Sequence, residues 1–141
     1  MNLTNKTKQQ IIAECTQFKE IQYCGKSLEE RRALDAFFTP PQLTIQMIEK
    51  FSCDSLKGQT ILDPTCGSGN LLAACVIAGA DPEKVFGNEF DSDFVKLAQE
   101  RLSKLGVPKE NIHQGDALDI RCITKDSFHK DFKQPKKVSL W

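Results

Sequence analysis

The chain has 141 residues, 19 basic and 19 acidic side chains, a formal net charge of zero and an apolar fraction of 40%. These values suit one ordinary globular domain with a sizeable core. They exclude a membrane-spanning run and an apolar signal core at Met1–Lys6. The six cysteines form no Cys-x-x-Cys pair and only two histidines are present, which argues against a zinc site or a disulfide framework and for reduced, cytoplasmic thiols.

Ile11, Ile12, Cys15, Phe18 and Ile21 recur at helical spacing, so residues 7–22 are predicted to form a helix packed on one face. A second short helix is predicted over 27–36, with Glu29, Glu30, Arg31 and Arg32 as a solvated charged face. In Phe37-Phe38-Thr39-Pro40-Pro41-Gln42, Thr39 is an N-cap candidate, Pro40 suits the first helical position and Gln42 could close a capping box. Leu43, Met47 and Phe51 then share one face of the helix that follows. Taken alone, the segment reads as two core phenylalanines before a well-capped helix.

The stretch Ile61 to Asn70 organises the chain. Ile61 and Leu62 read as a buried strand, Asp63-Pro64 turns sharply, and a helix begins after Gly67-Ser68-Gly69 and runs through the apolar residues 71–80. Gly67 and Gly69 permit positive φ and close approach of a ligand to the main chain, and the helix N-terminus points free N–H groups at the same place. A phosphate-cradling loop would need a lysine that is missing. A dinucleotide loop wants a small residue where Leu72 stands, and Asp63 would repel a pyrophosphate. The turn therefore favours a ligand with a cationic group such as an ammonium, unless Asp63 and the glycines serve only to shape the turn.

Val85 to Phe90 reads as a second strand ending in Glu89, about 20 residues beyond Gly69, where α/β nucleotide sites place a carboxylate on ribose hydroxyls. Asp91 is predicted to cap a helix whose inner face carries Phe94, Leu97, Ala98, Leu102 and Leu105, and Gly106 and Pro108 end it. A third strand around 111–114 leads to Gly115-Asp116-Ala117. Three successive strands each lead into an acid (Asp63, Glu89, Asp116), and turn chemistry alone does not account for that pattern. It points to a nucleoside site.

The order Phe-Phe-Thr-Pro, Asp-Pro-Thr-Cys-Gly-Ser-Gly-Asn-Leu, Gly-Asn-Glu-Phe-Asp and Gly-Asp-Ala-Leu resembles the S-adenosylmethionine (SAM)-binding half of the adenine-N6 DNA methyltransferases, over roughly residues 30–120. The motif order matches the class whose target-recognition domain follows the catalytic domain, as in restriction–modification enzymes. The resemblance implies SAM as cofactor, with Phe38, Thr39 and Pro40 bordering its methionine end. Asp63 and the Gly67–Gly69 loop would hold the amino group. Glu89 would bind the ribose, Phe90 would pack on the adenine, and Asp116 would accept from the adenine amino group. Pro64, Cys66 and Ala117 complete the implied cofactor-binding set.

The family's Asn/Asp/Ser-Pro-Pro-aromatic tetrapeptide, which grips a flipped base, does not occur in this sequence. Residues 136–141 alternate as a fourth strand would, and the tetrapeptide should follow them. By itself, then, the chain is expected not to methylate DNA, and no catalytic residue is assigned. The tail from Arg121 is basic, reading either as a phosphate-contacting stretch or as a solvated linker.

The expected architecture is an incomplete, Rossmann-like α/β class I SAM-dependent methyltransferase fold. It would have three or four parallel strands, helices on both faces and the first strand at the switch point beside the fourth. Residues 1–36 would form an N-terminal helical segment, 37–120 the SAM-binding domain and 121–141 a tail with the fourth strand. An open sheet edge would call for a homo-oligomer or a partner chain, with DNA contacted weakly or indirectly. Three functions fit: the SAM-binding portion of a methyltransferase, a silent SAM-binding regulator, or a contact module that kept only the fold.

Overall fold

A computed structural model describes residues 1–119 and the strand at 138–140. Helices α1 (Asn5–Gln17), α2 (Leu28–Ala33) and α3 (Pro41–Glu49) precede the sheet. There follow β1 (Thr60–Asp63), α4 (Asn70–Ile77), β2 (Val85–Glu89), α5 (Ser92–Ser103), β3 (Ile112–Gln114) and β4 (Val138–Leu140). The strands are all parallel, in the order β3-β2-β1-β4. From β1 the chain winds outward through β2 to β3 and returns to place β4 on the other side of β1, so the strand order reverses there. A crevice opens at the carboxyl ends of the strands at such a point, and ligands settle in it. The connection from β3 to β4, where a helix on the second face is expected, runs through residues 120–137, outside the described residues, as does most of the basic tail.

The register sets the heights of the strand-end groups. Asp63 is level with Gly87, Gly87 with Ile112 and Glu89 with Gln114. Central parallel strands are covered on both faces, and Ile61, Leu62, Val85 and Phe86 are accordingly all buried. Ile11 and Cys15 of α1 and Ile45 and Ile48 of α3 share one core with Leu72, Ala73 and Cys75 of α4 and with Ala98 and Leu102 of α5. Leu72 is fully buried although a dinucleotide loop would need a small residue there for close helix–strand packing. The facing strand supplies the space instead, because a Cβ built on Gly87 would lie 2.9 Å from the Leu72 side chain.

Three local readings change. Thr39 is not the N-cap of the third helix. That position belongs to Pro40, extended at φ −62° and ψ 152°, and Pro41 opens the helix without a side-chain cap. A proline disfavours the helical conformation in the residue before it, so Pro41 moves the helix start forward by one. The buried face of α3 is Thr44, Ile45 and Ile48 rather than the stripe through Leu43, which is 47% exposed. Asp91 caps α5 as expected, accepting from the N–H groups of Asp93 and Phe94. Residues 18–25 form turns rather than continuing α1, and Ser27 with Glu30 closes a capping box on α2. No helix among the described residues is long and apolar enough to cross a membrane.

Candidate functional site

In the β1–α4 turn, Thr65 is exposed and Cys66 to Asn70 are buried. Gly67 and Gly69 take φ of +53° and +88°, a region that costs L-residues with a Cβ roughly 1–2 kcal/mol. Gly69 serves as the N-cap of α4 and packs on Leu102. At Gly67 the constraint is space, since a Cβ there would lie 2.5 Å from the Phe38 ring.

Glu89 holds this turn in place. One carboxylate oxygen accepts from Gly67 N–H at 2.9 Å and the other from Asp91 N–H at 2.9 Å. Each oxygen keeps a second lone pair, so both remain available to hydroxyl donors. Asn88, 1% exposed, joins all three strand ends. Its amide donates to Pro64 C=O after β1 (3.1 Å) and to Gly115 C=O after β3 (3.0 Å), and its side-chain oxygen faces His113 Nδ1 on β3 at 3.3 Å. The main chain repeats the link, with Cys66 N–H donating to Asn88 C=O and Gly115 N–H to Glu89 C=O.

Around these groups lies a cleft of about 590 Å³, within the usual size range of small-molecule sites. It is lined by Phe38, Thr39, Pro64, Gly67, Glu89, Phe90, Asp116 and Ala117, eight of the residues singled out in the sequence, together with Asp35, Asn88 and Asp91. Phe90 stands 65% exposed on its rim. Asp116 is exposed and accepts from Leu118 N–H through one oxygen.

Asp63 and Cys66 line a side cavity of about 60 Å³ that shares Phe37, Phe38, Thr39 and Thr65 with the cleft. Pro40 instead borders a third cavity, of about 260 Å³, behind the 37–40 strap. Gly69 lines none of the three and acts through packing.

Four acidic residues, Asp35, Glu89, Asp91 and Asp116, line the cleft, and among the described residues no lysine, arginine or histidine does. Asp91 is already paired with Lys26 at 3.3 Å. Asp63 is nearly buried, and burial raises its pKa. The N–H of Thr65, which donates to it, pulls the other way, and the Glu89 charge adds to the rise. Asp63 thus caps the turn from a nearly buried position. Burial pushes the Cys66 thiol well above its ordinary range, so Cys66 packs as a neutral group.

Sequence periodicity missed the buried arginine behind this loop. Arg101 on α5 is fully buried and pairs with Glu14 of α1 at 3.0 Å. It also donates to Ser68 C=O at 3.2 Å and to the Asn70 side-chain oxygen. Asn70 in turn donates to Thr39 C=O at 3.1 Å, so one connected set ties α1, the glycine loop and the strap together. An arginine on the otherwise apolar inner stripe of an amphipathic helix was the available signal.

Fold and cleft together define an α/β protein with a candidate small-molecule site at the carboxyl ends of its strands. The chain belongs to the N-6 DNA Methylase family, whose model matches residues 21–138. Over 84 residues it is 30% identical to Type II methyltransferase M.NspV of Nostoc sp. (strain ATCC 29411 / PCC 7524), a match that covers 60% of this chain and 18% of that relative. This chain therefore spans well under half the length of the curated relative it matches. No solved structure matches with significance.

Proposed function

We propose that this chain is the SAM-binding portion of a DNA adenine-N6 methyltransferase, with its sheet forming part of a Rossmann-like class I methyltransferase fold. The observation that carries the reading is the anionic cleft of about 590 Å³, lined by four acidic residues and, among the described residues, by no basic one; only Asp91 of the four has a lysine partner, Lys26 at 3.3 Å. A pyrophosphate would be repelled there, whereas a ligand carrying an ammonium and a sulfonium is attracted. SAM fits this chemistry. Asp63, nearly buried in its side cavity, faces the ammonium, and Phe38, Thr39 and Pro40 form the strap along the methionine end. Glu89 has lone pairs free for the ribose hydroxyls, while Phe90 and Asp116 with Ala117 border the adenine. Pro64, Cys66, Gly67 and Gly69 shape the turn beneath. When bound, SAM supplies an electrophilic methyl group, and the protein's part here is to orient it and to balance its charge.

The base-binding tetrapeptide is absent from these 141 residues. Base recognition and methyl transfer therefore draw on residues outside this sequence, in the same chain or in another. Among the described residues β4 is an edge strand, and its unpaired main-chain groups suit a further strand from such a source or from a second copy. Light scattering alone and with a candidate partner reads this directly, and a monomer under both conditions removes the association.

Calorimetric titration with SAM tests the main reading. Saturable binding is expected, weakened at least tenfold by Asp63→Ala and by Glu89→Ala. Absence of both heat and thermal stabilisation at millimolar SAM would sink the proposal.

A further inference from the structure

The Phe38 ring is a wall common to three cavities, the main cleft, the Asp63 side cavity and the space behind the strap. It also lies on Gly67 so closely that a Cβ there would meet it at 2.5 Å. Where this ring sits decides how the cleft is divided. Its position is set from the N-terminal side of the chain. Tyr23, in the turns after α1, stacks on Phe38 with ring centroids 4.7 Å apart and planes 6° from parallel. The Tyr23 hydroxyl accepts a long hydrogen bond from Phe38 N–H at 3.4 Å. The Arg31 guanidinium lies 4.3 Å from the Tyr23 ring centre, and Phe94 meets Phe38 edge-on at 4.9 Å. An aromatic stack of this kind is rigid and loses little rotamer entropy on forming.

We propose that Tyr23 is a positioning residue for the cofactor cleft. It sets the Phe38 ring against Gly67, keeps the Asp63 side cavity open beside the main cleft, and thereby favours adenosyl ligands that carry an amino-acid arm over bare adenosine. The selectivity rests on the SAM reading above, whereas the placement of the ring does not. Loss of Tyr23 would weaken only the part of the ligand that passes Phe38, and general loosening of the fold would weaken both ligands alike.

The test joins a ligand-free measurement to a pair of titrations. In wild type, the Gly67 α-proton resonances are expected to carry a large ring-current shift from Phe38. In Tyr23→Leu that shift collapses, SAM affinity falls about tenfold, and adenosine affinity is unchanged. Tyr23→Phe keeps the stacked ring and stays within about twofold of wild type, as a 3.4 Å hydrogen bond predicts. Should Tyr23→Leu fail to fold, Tyr23→Met, which keeps bulk beside Phe38 but no stacked ring, gives the same pattern. Unchanged Gly67 resonances in Tyr23→Leu overturn the proposal, as does an equal loss of SAM and adenosine affinity. If wild type binds neither ligand, the SAM reading and the selectivity fall together, and the Gly67 resonances alone judge the coupling of Tyr23 to Phe38.

Discussion

The loop Cys66 to Asn70, whose Gly67 forms one wall of the cleft, is buried at every position, whereas Phe90 and Leu118, on the lip beyond β2 and β3, are 65% and 95% exposed. The wall is held by the protein's own groups. Glu89, Asn88 and Arg101 occupy its backbone groups, and two glycines accept conformations and contacts that a Cβ would spoil. The lip makes few such commitments and keeps its apolar surface open. The contrast is that of a preorganised floor, which sets ligand orientation, with a contact surface completed by whatever binds. Substitutions in the wall should lower stability and affinity together, and substitutions in the lip should lower affinity alone.

The largest effect is expected at Arg101. Arg101→Met removes a buried charge and leaves Glu14, Ser68 C=O and Asn70 without their partner. Breaking such a buried arrangement costs about 3–5 kcal/mol, readable by urea unfolding. A loss below about 1 kcal/mol would mean that the loop is held by its own backbone and that the wall is less committed than it looks.

Gly67→Ala comes next. The new methyl group meets the Phe38 ring in a backbone region unfavourable to alanine. Overpacking of this kind costs about 1–3 kcal/mol, and SAM affinity should fall with it. Retained affinity with lowered stability would separate the floor from the ligand site.

Asp63→Asn probes the boundary between holding the fold and holding the ligand. Its pKa is raised in the folded state, chiefly by burial. The native state then binds a proton more tightly than the unfolded state, so the linked stability is present below the unfolded pKa and is lost as pH rises through the folded one. At neutral pH the ionised carboxylate therefore opposes folding, and the asparagine variant should unfold at a higher temperature while binding SAM more weakly. Its stability should also vary less between pH 4 and 7 than that of wild type. A variant less stable at neutral pH would show that the hydrogen bond from Thr65 outweighs the burial.

Phe90→Ala is the smallest perturbation of the fold, because the ring is mostly exposed. Stability should stay within about 0.5 kcal/mol, while SAM affinity drops about tenfold. A large loss of stability would place Phe90 with the wall and erase the contrast.

Much of this site was legible in the chain because its signals are local. A buried strand running into Asp63-Pro64 and Gly67-Ser68-Gly69 can only turn sharply, and Asp91 before an amphipathic run can hardly avoid capping it. The register then places Asp63 and Glu89 at neighbouring strand ends, as their spacing along the chain implied. Less legible were the groups that act across the fold. Arg101, Asn70 and Glu14 lie far apart in sequence and meet only once α1, α4 and α5 share a core. Asn88 looked like an ordinary strand residue until β1 and β3 brought carbonyls to either side of it.

The sequence by itself determined the class of fold, the glycine turn, the acids at the strand ends and the family motifs, because each depends on residues a few positions apart. Only the tertiary structure decided that Leu72 fits because Gly87 faces it, and that the third helix starts at Pro41. It also decided that Phe38 closes over Gly67 beneath a tyrosine from the N-terminal segment. Close packing sets those outcomes, and which side chains meet is a property of the assembled core that no short stretch of chain contains.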